Sequence, residues 1–499
     1  MKNFLEKLHT PTWLFFLLLV VFLFRIPSFF EPYSYGDEMI YLALGEAVRQ
    51  GIPLYSGIHD NKPPLLYLMA ALAGNLFWFK AILTLWLLAT IFVFWKLLDF
   101  LFPKNTKAQI AGTCIFALLT TIPLLEGNIV NAELFMIGPT ILAFLILLSN
   151  KLTPKNLFFS GILFSISTLF KVPAAFDIPA IIFLWLASSK LKLKNLKAIA
   201  KNTLILSFGF ATPILLTLAW YFLQGALKEY IVAAFLQNVG YLSSWRPDES
   251  REPFFIKNLP LIQRVVVVLI GLLLLYWKKS RLSKTFIFST SWLLLTLFAI
   301  TLSERPYPHY LVQAIAPFSI LMTFFFTQKN FEQVLVIIPL TLSFFVPFYY
   351  KFWHYPTLPY YQKFVKLISG QYSKEEYFAT FGSHVPKNYK VSEYLITSLK
   401  DKEKIFVWGS DSSTIYALTK HFPPGKYVAD YHIRDFSNPK ELLKILGSNM
   451  PVFIVLLPSQ EEINGLQTFL STNYALVENL EGAEIWKLLT PQVRSLLSF

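Results

Sequence analysis

Two neighbouring carboxylates and one lysine are the residues of this 499-residue chain best placed to do chemistry. Asp37 and Glu38 stand in Tyr35-Gly36-Asp37-Glu38-Met39-Ile40, just after the first long apolar run, and Lys62 follows in His59-Asp60-Asn61-Lys62-Pro63-Pro64. A carboxylate at a partly desolvated interface can take a proton, so Asp37 reads as a general base for an acceptor hydroxyl attacking a sugar carbon. Glu38 would orient the acceptor or Asp37. Two prolines after Lys62 stiffen the backbone and start the next helix, which fixes where the ammonium points. A fixed point charge suits a phosphate. Together these residues suggest chemistry on a lipid-linked phosphate at a membrane face. A plainer reading stands beside each: acids in a first turn favour the helix dipole by roughly 0.3–1 kcal/mol, and an interfacial lysine snorkels. His59 and Asp60 either contribute to the site or make the turn.

The elements that must hold these groups are apolar. Residues 39–49 carry Ile40, Leu44 and Val48 at helical spacing, with Gly51 as a stop. With 55% hydrophobic and only 15% charged residues, most of the chain must sit in lipid. Runs long enough to cross a bilayer fall near 13–30, 81–102, 108–125, 132–149, 157–173, 174–189, 203–222, 258–276, 285–302, 308–326 and 333–350. The run 64–79 is short and broken by Gly74-Asn75, so it reads as an interfacial or re-entrant helix. The lysine clusters then share one side, which the positive-inside rule makes cytoplasmic. That leaves about eleven spans, with Asp37, Lys62, Glu126, Glu133, Lys171, the 223–257 loop and the 305–310 stretch on the outer face. The net charge of +14 lies in short runs between apolar segments, which argues for membrane topology and against nucleic acid. Lys2 and Lys7 precede an apolar run with no small-x-small site after it, so the N-terminus reads as an uncleaved anchor. One cysteine, Cys114, permits no disulfide within the chain, and no Cys/His metal cluster is visible.

From about residue 351 the composition changes. Strands are expected at 405–408, 426–429, 452–457, 474–478 and 483–488, with helices at 411–420, 438–447 and 460–470 between them. The reading is therefore a polytopic helical membrane domain over 1–350 and a small extracytoplasmic α/β domain over 351–499. Trp408-Gly409-Ser410-Asp411 is a strand-to-helix turn with Asp411 as N-cap, but it lacks the glycine pattern of a dinucleotide site.

Three landmarks resemble those of a known family: the acidic pair after the first span, the Asn61-Lys62-Pro63 element before an interfacial helix, and Asn131-Ala132-Glu133 at the start of a later span. The chain resembles the GT-C glycosyltransferases, in the branch of the dolichyl-phosphate-mannose–protein mannosyltransferases and the bacterial aminoarabinose lipid A transferase. The layout agrees over roughly 10–350, with the motifs concentrated in 30–140. The resemblance implies sugar transfer from a polyprenyl phosphate carrier at the outer face of the cell membrane, with inversion. By motif, Asp37 takes the place of the first-loop catalytic acid, Lys62 that of the carrier-phosphate lysine and Glu133 that of the second acid, with Glu126 a nearby spare carboxylate.

Lys171, in Leu169-Phe170-Lys171-Val172-Pro173, is a lone cation at the outer end of a span; such groups usually face the protein interior. Arg305 and His309-Tyr310 resemble the family's His-Tyr at the start of a late span and could neutralise the departing phosphate or bind the sugar. A rigid proline-rich loop with interfacial aromatics is the alternative. In the 223–257 loop, Tyr241 and Trp245-Arg246 could close over the sugar, or the loop is merely amphipathic.

The donor expected is a polyprenyl-phosphate-linked sugar, and the acceptor a lipid, polysaccharide or protein hydroxyl. The scheme requires no metal or other cofactor, though Asp37 and Glu133 could hold a divalent ion if they converge. Two other classes compete. A transporter or flippase of lipid-linked sugars would show repeated halves and Gly/Pro-broken spans near the midplane; the charges here gather outside, and no matching halves are visible. A non-catalytic membrane assembly protein would use the α/β tail to bind a partner.

Overall fold

The computed structural model of the chain describes residues 10–240, 253–327, 330–458 and 462–493. Among them, eight helices are long and apolar enough to cross a membrane, the first Thr12–Phe30 and the last Phe331–Tyr349. Shorter helical stretches, Thr106–Leu119, Pro154–Phe170 and Val172–Ala187, occupy the other three expected runs. Large apolar side chains face outward along the bundle, Leu216 and Phe208 on Leu193–Leu223 and Leu273 and Trp277 on Leu259–Lys278 among them. Contiguous apolar surface on this scale needs lipid against it. The chain is a multi-pass membrane protein.

Local sequence sets the breaks that matter for the site. After Lys62 and its prolines, the helix Leu65–Ala73 runs for nine residues, about 14 Å by the helical rise, far short of a bilayer core. Gly74 ends it at φ 71°, a left-handed conformation that favours glycine, and a Cβ there would run into the Arg49 guanidinium. Asn75 restarts the chain as Leu76–Leu101, its Oδ1 accepting the Trp78 N–H at 3.0 Å. Asn131 does the same for Ala132–Ser149 through the Leu134 N–H at 3.1 Å, which places Glu133 in the first turn. Asp37 and Glu38 occupy the first turn of Gly36–Arg49. That helix crosses Leu65–Ala73 so closely that a Cβ on Gly45 would lie 2.5 Å from the Ala71 nitrogen.

The C-terminal unit carries a four-stranded sheet in the order β1-β2-β4-β3. β1 (Ile405–Trp408) runs parallel to β2 (Phe453–Leu456), with Ile405 opposite Phe453. β4 (Ala483–Leu488) is antiparallel both to β2 and to β3 (Tyr474–Leu480). Helices cover the sheet, so every residue of β1 and β2 is buried, as their unbroken apolar runs require. Helices Ser412–Thr419 and Pro439–Ser448 fall within a few residues of expectation, whereas the third, expected at 460–470, begins only at Leu466 and runs to Asn473. Asp411 is the N-cap residue, but its side chain makes no capping bond.

One expected strand is corrected. Residues 426–429 do not join the sheet; Tyr427 makes an isolated parallel bridge with His59 of the membrane domain, and the His59 N–H donates to the Lys426 carbonyl at 2.8 Å. Pro423-Pro424-Gly425 before it and the helix Asp430–Phe436 after it leave too little extended chain for a sheet strand. The C-terminal unit therefore docks on the end of the bundle that holds the first loop. Ser412–Thr419 packs on Gly36–Arg49, Gln50 Nε2–H donates to the Lys420 carbonyl at 3.0 Å, and Tyr33 N–H donates to Tyr389 Oη at 3.0 Å.

Candidate active site

Asp37 projects from the first turn of its helix and stays 33% exposed. Tyr41, one helical turn on, donates its hydroxyl to Asp37 Oδ2 at 2.8 Å, the i,i+4 pairing that a helix surface provides. Lys62 Nζ approaches Asp37 Oδ2 at 4.0 Å and Asp60 Oδ2 at 3.7 Å, and stands 5.0 Å from the Tyr41 ring centre. Both carboxylate separations exceed a direct hydrogen bond, so the ammonium is near each acid without being clasped by it. Enclosure pushes the Asp37 carboxyl up, but Lys62, His309 and the Tyr41 hydroxyl outweigh it and leave Asp37 below the usual carboxylate value. Asp37 is thus ionised, as a base must be.

Around this pair stand side chains from three further elements. Glu133, in the first turn of Ala132–Ser149, is paired with Lys171, which follows Pro154–Phe170 and lies 3.7 Å from the Tyr310 ring centre. His309 bridges two acids, Nδ1 on Glu126 and Nε2 3.9 Å from Glu133. Glu126 also accepts the Tyr35 hydroxyl at 2.9 Å. Asp37, Lys62, Glu133, Lys171, His309 and Tyr310 therefore share one mixed-charge cluster at the end of the bundle. Arg305 lies half-buried on the loop leading to His309, with its backbone N–H on Ser303 Oγ at 3.3 Å. Tyr241 and Arg246 lie outside the described residues.

Glu38 faces elsewhere. Consecutive helical residues point about 100° apart, and the step from Asp37 carries Glu38 into the bundle. There it meets Lys80 Nζ at 2.6 Å and accepts the Val130 N–H at 2.5 Å. Lys80, fully buried, also pairs with Glu31 at 2.7 Å and donates to the Asn128 carbonyl at 2.9 Å. Glu31 accepts the Asn128 amide at 2.8 Å and the Tyr360 hydroxyl. Burial pushes Glu38 up to about 7 against the pull of Lys80. The expectation that Glu38 orients Asp37 or the acceptor is thus replaced by a buried network joining four segments of the chain.

His59 and Asp60 divide in the same way. Asp60 belongs to the cluster: its Oδ2 accepts Tyr67 Oη–H at 2.7 Å, and the same phenol oxygen accepts the Lys62 N–H at 3.1 Å. Tyr55 adds a hydroxyl on the Lys62 carbonyl at 2.8 Å, so the lysine's backbone is held from both sides. His59 turns to Gln237 at 3.1 Å and to the rings of Tyr427 and Phe436 in the C-terminal unit. Tyr41 could have been found from its i,i+4 spacing to Asp37. Tyr67, Tyr35 and His432, which stands 3.3 Å from Asp60 Oδ1, carried no local signal. Among the described residues, no group of three or more His, Cys, Asp or Glu is arranged to hold a metal ion.

Comparison with known structures agrees with this architecture. ArnT from Cupriavidus metallidurans bound to undecaprenyl phosphate aligns with 12% identity and TM-score 0.54, covering 96% of this chain and 98% of that one. The apo state of the same protein aligns with 11% identity and TM-score 0.50, over 95% and 97%. The archaeal oligosaccharyltransferase AglB from Archaeoglobus fulgidus, in complex with an inhibitory peptide and a dolichol-phosphate, aligns at 13% identity and TM-score 0.42, over 91% and 70%. Residues 387–488 match the family described as the putative competence-induced protein Ccs4 C-terminal domain. No curated protein sequence matches the chain. At these identities the likeness is one of fold: the chain has the GT-C fold that its motifs led one to expect.

Proposed function

We propose that this protein is a membrane glycosyltransferase that moves a sugar from a polyprenyl-phosphate carrier to an acceptor hydroxyl at the extracytoplasmic face. The observation that carries the reading is the meeting of an ionised Asp37 with Lys62, 4.0 Å apart, on an ArnT-like fold. The solved ArnT relative is itself bound to undecaprenyl phosphate, a ligand whose charge suits a cluster containing Lys62 and Lys171.

The chemistry follows from charge. The acceptor oxygen forms a bond to the anomeric carbon while the carbon–oxygen bond to the phosphate breaks, and the carrier leaves as its phosphate. Negative charge grows on the phosphate as the sugar carbon becomes cationic, so an ammonium aimed at the phosphate favours the transition state over the ground state. Asp37, on the opposite side of the sugar, takes the acceptor's proton. A single displacement of this kind inverts the anomeric centre. In the loaded enzyme Lys62 turns from Asp37 to the phosphate, since charge-assisted N–H···O bonds of about 2.7–2.9 Å are shorter than either of its present carboxylate separations. The Glu133–Lys171 pair, His309 and Tyr310 are left to bind the sugar and the phosphate's remaining charge.

The test is Asp37→Asn. It should cut sugar transfer from polyprenyl-phosphate-sugar by about 100-fold or more, the range general bases contribute, with carrier binding retained. Undiminished transfer by a folded variant would remove Asp37 as the base.

A further inference from the structure

Asp60 stands two residues before Lys62 and is 1% exposed. Its Oδ2 serves the membrane domain, facing Lys62 Nζ at 3.7 Å and accepting Tyr67 Oη–H at 2.7 Å. Its Oδ1 accepts the Asn61 N–H at 2.7 Å and faces His432 Nε2 at 3.3 Å. His432 comes from the helix Asp430–Phe436 of the C-terminal unit and is also 1% exposed. A single buried carboxylate thus stands between the lysine and a histidine from the far end of the chain.

The setting of His432 says what the imidazole is for. Its ring lies among Tyr431 at 4.3 Å, Phe436 at 5.8 Å and His59 at 6.2 Å, an aromatic nest in which a phenylalanine would pack equally well. Nδ1 is buried with no hydrogen-bond partner among the described residues. A buried polar atom left unsatisfied costs about 1–3 kcal/mol, so the polar contact of this ring runs through its other nitrogen. That nitrogen meets Asp60. The junction is also fixed in position, because His59 N–H donates to the Lys426 carbonyl at 2.8 Å and bridges Tyr427.

A carboxylate beside Lys62 competes with a phosphate for the same ammonium. A donor on the carboxylate's second oxygen draws charge away from the first and fixes where it stands. We propose that His432 is a positioning residue: through Nε2–H it holds Asp60 and thereby limits the grip of Asp60 on Lys62, so that a carrier phosphate competes better with this carboxylate for the ammonium. On this account the C-terminal unit completes the donor site from outside the membrane domain. The inference rests on the reading of Lys62 as the phosphate ligand.

The experiment measures undecaprenyl phosphate binding to the full-length protein in lipid nanodiscs. His432→Phe keeps the ring packing and removes the donor; it should weaken binding about tenfold, within the range of pairwise couplings. His432→Gln, whose amide reaches the Nε2 position, should bind within about twofold of wild type. In an Asp60→Asn background, His432→Phe should change nothing further, an outcome that a merely structural role would not produce. If the phenylalanine variant does not fold, His432→Asn replaces it, since its shorter amide cannot reach Asp60, and the same loss and the same cycle are expected. Wild-type affinity in His432→Phe, or an equal loss with and without the Asp60 carboxylate, overturns the role of His432. A wild-type protein that does not bind undecaprenyl phosphate overturns the functional reading beneath it.

Discussion

A carboxylate can serve as a base only if its surroundings keep it ionised while leaving it open to substrate. Asp37 meets both conditions, with a third of its side chain exposed and Lys62, His309 and Tyr41 holding its proton affinity down against the effect of enclosure. Lys62 is the largest of the favourable influences, so removing it must raise the Asp37 pKa. The sign fixes a prediction. In Lys62→Ala, the acid limb of the residual transfer rate should move to higher pH than in wild type, where Lys62 holds the Asp37 carboxyl below the usual carboxylate range. A limb that stays in place would show that the two side chains are not coupled in the working enzyme. At this scale the sequence, through residue type and local spacing, picked out Asp37, Lys62 and Glu133, which the fold brings into one charged cluster. It was misleading for Glu38, because adjacency in the chain is divergence on a helix.

Among the elements, the first loop is held by two different means. On its membrane side, Lys80 ties Glu31 and Glu38 to the start of Leu76–Leu101, with all three side chains nearly or fully buried. Removing one partner of such a group leaves charge uncompensated, which typically costs about 3–5 kcal/mol. Lys80→Met should therefore lower the unfolding free energy by about that amount, read as a fall in melting temperature, although Lys80 touches none of the side chains around Asp37 in the contacts described above. A variant as stable as wild type would mean that the network holds nothing. On its other side, the loop is held by Tyr55, Tyr67 and the His59 bridge. The apolar runs and their caps were legible because Gly74-Asn75 and Asn131 act locally. Residues 426–429 were misread because their partner is a loop of the membrane domain rather than a sheet strand, and no local pattern encodes a partner so remote.

For the whole molecule, the charged cluster and the C-terminal unit occupy the same end of the helical bundle, and sidedness decides whether that end can meet an extracytoplasmic acceptor. The exposed Lys444 on Pro439–Ser448 offers a test of that orientation. In a Cys114→Ser background, Lys444→Cys should react with a membrane-impermeant maleimide on intact cells; labelling only after lysis would reverse the topology. The fold class was readable from hydropathy and charge, but the convergence of four separate segments on one charged cluster needed the three-dimensional arrangement. In the proposed function a carrier phosphate lies against Lys62 with Asp37 across the sugar. A structure of the protein with a bound polyprenyl-phosphate-sugar tests it most directly. Phosphate oxygens should lie within about 3 Å of Lys62 Nζ, the charge-assisted hydrogen-bond distance, with the anomeric carbon between that phosphate and Asp37. A phosphate bound elsewhere, or Asp37 on the same side of the sugar as the phosphate, would contradict it.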